Sequence, residues 1–362
     1  MHFLNLFLLF PLSVWSFQPS TVPPYCTDDI STRDIPALTT DEQNLVSSLI
    51  QVQPVIRHGA RTPYSYHTCW DGYNVSWNDC NVTGLMLASD SYTTQTKDAD
   101  WLFRVLYDAS PNSLGGNCQT GQLISQGFVQ ESGLGTVLKD AYVGAGSMKL
   151  FPTNVWTSIN QSRVYFRSDD ETRTKMSGQL LVTNMFDTTG VDSLIPWHTG
   201  EYELDQLHPN SGVCPRMNEV SDAAYASDTY VSEIASSLVV SMDMDLDSIL
   251  GADYWDWYTV MDCFETTVCT GRDIPDGTTE IPMTDTLFNS TIAQAEYIWA
   301  YRALYNNSWW SKLAMGQTVY FIRERMNAAI TANSATPATD DALQFVLYSA
   351  HDTTVMPLLA AL

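Results

Sequence analysis

Three segments of the chain share one pattern, in which a short apolar stretch runs directly into charged or imidazole residues. They occupy positions 49–61, 164–173 and 343–352. Apolar stretches of this length, closed by polar residues, are typical of buried strands. In an open α/β sheet, ligands bind outside the carboxyl ends of the strands. The pattern therefore predicts an α/β fold in which three distant segments meet at one site.

The residues at these strand ends suit the binding of a phosphate. Guanidinium groups are always charged and match phosphate oxygens with paired hydrogen bonds. A neutral imidazole among them can attack phosphorus and form a phosphohistidine, which water then hydrolyses. A carboxylic acid can protonate the leaving alcohol, and the arginines make a metal unnecessary. The residues that we expect to converge are Arg57, His58, Arg61, Arg173, His351 and Asp352.

The motifs "RHGARTP", "RSDDETRTKMSG" and "YSAHDTT" resemble those of the histidine acid phosphatases, the acid phosphatase and phytase branch of the histidine phosphatase superfamily. The resemblance extends from Val52 to the C-terminus and is greatest to the prostatic and lysosomal types. It implies a Rossmann-like core sheet flanked by helices, with an inserted α-rich cap, and no cofactor or metal. It also implies a role for each site residue: His58 as nucleophile, Asp352 as acid, and Arg57, Arg61, Arg173 and His351 as phosphate ligands.

The chain divides into a leader, a core and a cap. Residues 1–16 are predicted to be a signal peptide, because 3–15 is an apolar run too short to span a bilayer. The phosphatase core is expected at 17–186 and 301–362, and the cap at 187–300. Helices are predicted at 121–143, 176–186, 225–241 and 287–305, with an N-cap and acidic first turn at 168–171. Since the chain stops right after the "HD" segment, we expect a C-terminal part to be missing.

Charge and targeting signals restrict the partners. A net charge of −24 argues against nucleic acid and anionic membranes, and suits work in acid. No run after the leader reaches about 18 apolar residues, so no membrane span is expected. The predicted partners are small phosphorylated substrates, and a homodimer is left open. A secreted or lysosomal/vacuolar protein would be glycosylated at Asn74, Asn81, Asn160, Asn289 and Asn306.

The seven cysteines are expected to pair in an oxidising compartment, which leaves one without a partner in the chain. Close spacing favours the bridges Cys69–Cys80 and Cys263–Cys269. Spacing does not determine connectivity, so other pairings stay open. There is no CxxC pair, which argues against a zinc site.

Two other functions compete with a general acid phosphatase. A phytase would use the same groups in a wider, more basic pocket, but the predicted cap offers only Arg216 and Arg272. A non-catalytic phosphatase-like glycoprotein would keep the fold and bind phosphate or a partner. Such proteins usually lose a nucleophile or acid, and neither is missing here.

Several other polar residues have ordinary structural interpretations. Arg167 is expected to pair with the acidic turn at 169–171, and His67, His198 and His208 to be structural. The stretch 243–251 resembles a calcium loop only superficially and is expected to be a solvated acidic turn. The aromatic residues at 252–258 are expected to pack inside the cap rather than to line a substrate rim.

Overall fold

The computed structural model describes most of the chain beyond the leader. The leader up to position 15, His67 and the acceptor Asn81 lie outside the described residues. The described residues are 16–27, 30, 35, 39–45, 48–64, 68–80, 114–146, 148–189, 195–251, 256–335 and 342–362.

The described residues form short strands and mostly longer helices. The strands are β1 (Ser16–Phe17), β2 (Val55–Arg57), β3 (Ser76–Trp77), β4 (Gly115–Gly116), β5 (Val164–Ser168), β6 (Ile274–Pro275) and β7 (Phe345–Ala350). The helices are α1 (Pro24–Thr27), α2 (Thr40–Leu45), α3 (Ser125–Tyr142), α4 (Thr172–Met185), α5 (Arg216–Tyr225), α6 (Asp228–Ile234), α7 (Ser237–Leu250), α8 (Trp257–Cys269), α9 (Asp285–Ser334) and α10 (Asp352–Ala361).

A three-stranded parallel sheet lies at the centre, in the order β2–β7–β5. All six residues of β7 are buried, because this strand has a neighbour on both sides. In the register, Arg57 pairs with Ala350 and Ser168 pairs with Ser349. The three strands therefore end at one edge of the sheet, which confirms the α/β prediction and the convergence of the three segments.

Helices α3 and α4 cover the sheet through an aromatic core. Phe166 and Phe345 come from the strands, and Trp156, Leu181 and Phe186 pack against them. Phe186 meets the ring of Phe345 edge-on, with a centroid distance of 6.5 Å. Edge-to-face contacts of this kind add to the free energy gained by burial of the rings. This core holds the sheet edge, and hence the site, on rigid elements.

Helix α4 contains the predicted helical stretch 176–186, but it begins only after the N-cap and acidic first turn predicted at 168–171. The strand β5 continues through Ser168, and α4 begins at Thr172 with Glu171 at the N-cap position but no side-chain cap. Ser168 and Asp169 therefore do not belong to a helix N-terminus, and both side chains are buried. The predicted acidic first turn was wrong, and Asp169 is directed into the protein instead.

Residues 216–300 are mostly helical, with a core of their own around Leu246, Phe264 and Phe288. The stretch 243–251, predicted to be an acidic turn, lies almost entirely within α7. Leu246 and Leu250 of this stretch are buried on one face of α7 together with Val239 and Met242, whereas Met244 is exposed. Helix α9 runs through position 300, where the predicted cap would end, and the division into core and cap remains a prediction.

The disulfide bonds differ from the predicted pairs. Both favoured bridges were wrong: Cys263 and Cys269 lie six residues apart on α8, about 9 Å along its axis, which is too far for a disulfide. Each instead binds a cysteine from the N-terminal part of the chain. The three bridges are Cys26–Cys269, Cys69–Cys263 and Cys80–Cys118, and Cys214 is the free thiol.

The surface accommodates the predicted glycosylation. The four acceptor asparagines within the described residues, Asn74, Asn160, Asn289 and Asn306, are all exposed. In the part of the chain that the structure describes, no helix has the length and apolar character needed to cross a membrane.

Candidate active site

His58 lies at the carboxyl end of β2, and its neighbours determine its tautomer. Its backbone N–H donates to the carbonyl of Ala350 at 2.8 Å, and its ring is buried. Nδ1 lies 2.8 Å from the carbonyl of Gly59. A carbonyl only accepts hydrogen bonds, so Nδ1 carries the proton and Nε2 keeps its lone pair. Burial, followed by the charges of nearby arginines, holds the pKa of His58 well below 6.5, which keeps the ring neutral.

The loop after His58 passes very close to α3, and only glycine fits there. A Cβ on Gly59 would lie 2.6 Å from the carbonyl oxygen of Gly127. A Cβ on Gly127 would in turn lie 2.3 Å from the carbonyl oxygen of Ala60. The glycine of "RHGAR" is therefore required by this close approach, which orients the histidine loop on α3.

Two arginines from different segments line the cavity in front of His58. Arg61 forms a buried ion pair with Asp262 at 2.7 Å, and Arg173 pairs with Glu171 at 2.9 Å. The guanidinium of Arg173 also stacks on the ring of Tyr64, with 4.8 Å from Cζ to the ring centroid. In both arginines the buried Nε has no hydrogen-bond partner among the described residues. Each therefore keeps one N–H donor that no described residue uses.

The second histidine of the site is held by a buried carboxylate. Nε2 of His351 hydrogen-bonds to Oδ2 of Asp169. The other carboxylate oxygen of Asp169, Oδ1, accepts a hydrogen bond from the hydroxyl of Thr174. Burial by itself would raise the pKa of Asp169, but the hydrogen bonds from His351 and Thr174 outweigh it, so the pKa is lowered. The rings of His58 and His351 meet edge-on at a centroid distance of 5.3 Å.

Asp352, the first residue of α10, pairs with Arg57. The Nε of Arg57 lies 3.1 Å from Oδ2 of Asp352, and the backbone N–H of Thr353 donates to Oδ1 at 2.7 Å. Burial would raise the pKa of Asp352, but the charges of Arg57 and Arg61 outweigh it and lower the pKa. In the absence of a bound anion this carboxyl group is therefore ionised.

The structure brings five of the six predicted residues to one cavity of about 690 Å³. They are His58, Arg61, Arg173, His351 and Asp352. Arg57 is the exception among the six: it is partly exposed and lines a second cavity of about 340 Å³. Arg61, Tyr258 and Asp352 line both cavities, so these three residues lie between them.

Sequence patterns did not reveal several residues of this site. Asp169 was attributed to a helix N-terminus, and nothing marks Asp262, within α8, as the partner of Arg61. His208 was expected to be structural, yet it lines the cavity and its Nδ1 has no hydrogen-bond partner in the described structure. Among these residues only Asp169 had a usable signal in the sequence, because it is an acidic residue close to the end of a predicted buried strand, as Asp352 is.

Arg167 and the aromatic stretch also differ from expectation. Arg167 pairs with Asp205 at 3.0 Å rather than with the acidic turn that follows it, because residue 167 points to the opposite face of β5 from Ser168. Trp257 and Tyr258 line the cavity, although the stretch 252–258 was expected to pack inside the cap. The other residues of that stretch fall partly outside the described positions.

The described residues hold no group of three or more His, Cys, Asp or Glu side chains placed to bind a metal ion. The fold and the cavity together define an α/β protein with a histidine- and arginine-lined site at one edge of a parallel sheet. The chain belongs to the histidine phosphatase superfamily (branch 2), whose sequence profile matches residues 48–362. The family resemblance seen in the motifs is thereby confirmed.

Relatives within this family carry different names. The chain is 27% identical to Counting factor 60 of Dictyostelium discoideum over 344 residues, which cover 93% of this chain and 76% of that protein. It is 24% identical to the lysosomal acid phosphatase of Homo sapiens over 67% of this chain, and the match spans 55% of that relative's length. A solved structure of Hafnia alvei phytase with myo-inositol hexakis sulphate is 13% identical, with a TM-score of 0.47 over 86% of this chain and 74% of that one.

Proposed function

We propose that the protein is an acid phosphatase that hydrolyses phosphate monoesters through a phosphohistidine on His58. The observation that carries the proposal is the state of His58: a buried ring, protonated on Nδ1, with a free lone pair on Nε2. Around it, Arg61 and Arg173 each keep an unused Nε donor. A neutral nucleophile beside unsatisfied cationic donors suits attack on a dianionic phosphate.

In the first step Nε2 of His58 attacks phosphorus, and the P–N bond forms as the bond to the ester oxygen breaks. Arg61 and Arg173 would donate hydrogen bonds to the equatorial oxygens. His351 donates its Nε2–H to Asp169, so it would add a hydrogen bond to phosphate from Nδ1 only as an imidazolium. Asp352 would give its proton to the leaving alkoxide. Water then attacks the phosphohistidine and returns a proton to Asp352, so phosphate leaves and both residues are restored.

The charges around the site support operation in acid. Burial and the nearby arginines lower the pKa of His58, which extends the pH range in which its ring is neutral toward acid. Asp352 is ionised in the free site, but a bound dianion offsets the charges of the arginines and raises the pKa of this carboxyl group toward protonation. Acidic conditions also favour the protonated form of Asp352. The three disulfides fit a secreted or lysosomal/vacuolar glycoprotein that would work under such conditions.

The second candidate, a phytase, finds less support in the charge of the cavity. The two arginines of the predicted cap are engaged elsewhere: Arg216 with Glu219 and Arg272 with Asp79. Neither lines the catalytic cavity, where Arg302 is the only arginine or lysine besides Arg61 and Arg173 among the described residues. A ligand with six phosphates would need several more cations than this cavity provides.

The test is to trap the intermediate. Wild-type protein mixed with a ³²P-labelled aryl phosphate and quenched in alkali should carry an acid-labile label, as phosphohistidine does. His58→Ala should carry no label and lose at least about 10³-fold in turnover, since the attacking atom is gone. His198→Ala is the matched control, because His198 lies outside both cavities and stacks on Tyr165. Normal turnover by His58→Ala would overturn the mechanism.

A further inference from the structure

Arg302 lies in the catalytic cavity, and nothing in the proposed chemistry uses it. It comes from α9 and lines the same cavity as His58 and Arg173. Its buried Nε has no hydrogen-bond partner in the described part of the chain, and no described carboxylate lies within ion-pair distance of it. Arg57, Arg61 and Arg173 each have such a partner. Arg302 is therefore the one cavity-lining arginine, among the described residues, whose charge no carboxylate compensates.

Two tryptophans hold this guanidinium in place. Its Cζ lies 4.8 Å from the ring centroid of Trp299 and 4.3 Å from that of Trp310. The two indoles are nearly perpendicular, with an interplanar angle of 89°. Cation–π contacts with both rings orient the guanidinium and cover part of its surface. Arg302 lines the cavity and makes no hydrogen bond to the described residues, so a ligand there could accept from its terminal amino groups.

The arrangement depends on a break in α9. In a continuous helix, Trp310 would lie eight residues or about 12 Å beyond Arg302. At Asn306, Asn307 and Ser308 the backbone instead takes left-handed φ values of 48°, 60° and 58°, which non-glycine residues rarely adopt. The hydroxyl of Ser311 donates to the carbonyl of Ala303 at 2.7 Å across this break. Strained backbone of this kind is common where it orients a ligand-binding group.

The two carboxylates that also line the cavity are occupied by other contacts. Asp256 caps α8 by accepting from the N–H of Thr259 at 2.8 Å, and Asp352 pairs with Arg57. Neither neutralises Arg302. A partly buried guanidinium with unused donors binds carboxylate or phosphate oxygens strongly, because its planar N–H groups match their geometry.

We propose that Arg302 forms a second anion subsite, so that the preferred substrates are phosphomonoesters whose organic part carries a further anionic group. The phosphate would lie between His58, Arg61 and Arg173, and the second anion at Arg302. The organic part between them would contact the aromatic wall, which includes Trp257 and Tyr258. This inference rests on the proposed phosphatase activity and specifies which esters that site selects.

The test compares three esters that differ only in their distal group: 4-carboxyphenyl phosphate, its neutral analogue 4-carbamoylphenyl phosphate, and 1,4-phenylene bisphosphate. In wild type, kcat/KM should be about 10-fold higher or more for the anionic esters than for the carbamoyl ester, mainly through KM. In Arg302→Gln this ratio should fall to near one, and Arg302→Lys should restore part of it. Comparing kcat/KM for 4-carboxyphenyl phosphate and 1,4-phenylene bisphosphate shows whether the subsite prefers a carboxylate or a phosphate. Arg323→Gln is the control, because Arg323 also lies on α9 and over an aromatic ring but is exposed.

Binding is measured separately so that the two proposals can fail independently. Calorimetry with 4-carboxybenzylphosphonate and benzylphosphonate needs no turnover, and the carboxylate should tighten binding only when Arg302 is present. If wild type hydrolyses none of the esters but shows this dependence, the subsite stands and the phosphatase proposal fails. If hydrolysis is normal and Arg302→Gln leaves the ratio unchanged, the subsite is overturned. Unfolding curves of each variant identify any loss that comes from misfolding.

Discussion

His351 and Asp169 form a buried hydrogen-bonded pair that joins the ends of two neighbouring strands. His351 follows β7 and Asp169 follows β5, and the contact links Nε2 of the histidine to Oδ2 of the carboxylate. Because the carboxylate accepts the proton of Nε2, it fixes the orientation of a ring that meets His58 edge-on. Asp169 is therefore a positioning residue for the proposed phosphate site.

Replacing this carboxylate should weaken catalysis without removing the nucleophile. Asp169→Asn keeps the shape but loses the charge that holds His351, and we expect kcat/KM to fall about 10- to 100-fold. Steady-state kinetics on an aryl phosphate over a range of pH would measure the change, and the dependence on pH should alter as well. The matched control is Asp170→Asn, since Asp170 is exposed and pairs only with Lys175. Equal effects of both variants would contradict the assigned role.

The charge of Arg57 should determine the pH range of activity. Arg57 lowers the pKa of both Asp352 and His58, although burial is the largest influence on each. The reactive state needs Asp352 protonated and His58 neutral, so activity should be lost above the pKa of the acid and below that of the nucleophile. Removing the charge in Arg57→Gln raises both pKa values, and the whole profile of kcat/KM against pH should move to higher pH. Arg216→Gln, which changes only an exposed pair with Glu219, should leave the profile in place.

Glu131 should make the fold less stable at neutral and alkaline pH. This residue of α3 is buried, and burial raises its pKa from 4.5 to about 8. Because the folded state binds the proton more tightly, its stabilising contribution is complete below about pH 4.5 and is lost as pH rises toward 8. Glu131→Gln should therefore have little effect at pH 4.5 but raise the free energy of unfolding at pH 9 by on the order of 4 kcal/mol. Denaturant unfolding at both pH values, with Glu219→Gln as an exposed control, would show whether the difference exists.

The disulfide Cys69–Cys263 should contribute strongly to stability, because it closes a loop between residues 194 positions apart. The double variant Cys69→Ser/Cys263→Ser should lose about 2–5 kcal/mol of unfolding free energy. Proteolysis without reduction, followed by mass spectrometry, should recover peptides that link Cys69 to Cys263 and Cys26 to Cys269. Peptides linking Cys69 to Cys80 would contradict the structure.

Much of the fold and most of the site could be predicted from local patterns. A strand such as 345–350 is encoded by its own apolar side chains, and the polar residues that close it mark where the strand ends. The three strand ends then converge because parallel strands share one carboxyl edge. This is why five of the six predicted residues line one cavity.

Other features depended on partners that are distant in the sequence. Arg61 pairs with Asp262, 201 residues away, and nothing near either residue indicates the contact. The disulfide prediction failed for a related reason. Cys263 and Cys269 are close in sequence, but the helix between them holds them too far apart to bond. Arg302 was invisible because its role depends on a break in α9 that brings Trp310 back toward it.

The sequence by itself determined which chemistry is present: a histidine, three arginines, a second histidine and an aspartate, each in a segment that starts with a strand-forming stretch. Only the tertiary structure decided how those groups are used. It divides the arginines among separate carboxylate partners, directs Arg57 to a second cavity and leaves Arg302 uncompensated beside the site. The physical reason is that strand formation is local, whereas charge pairing and burial depend on contacts between residues far apart along the chain.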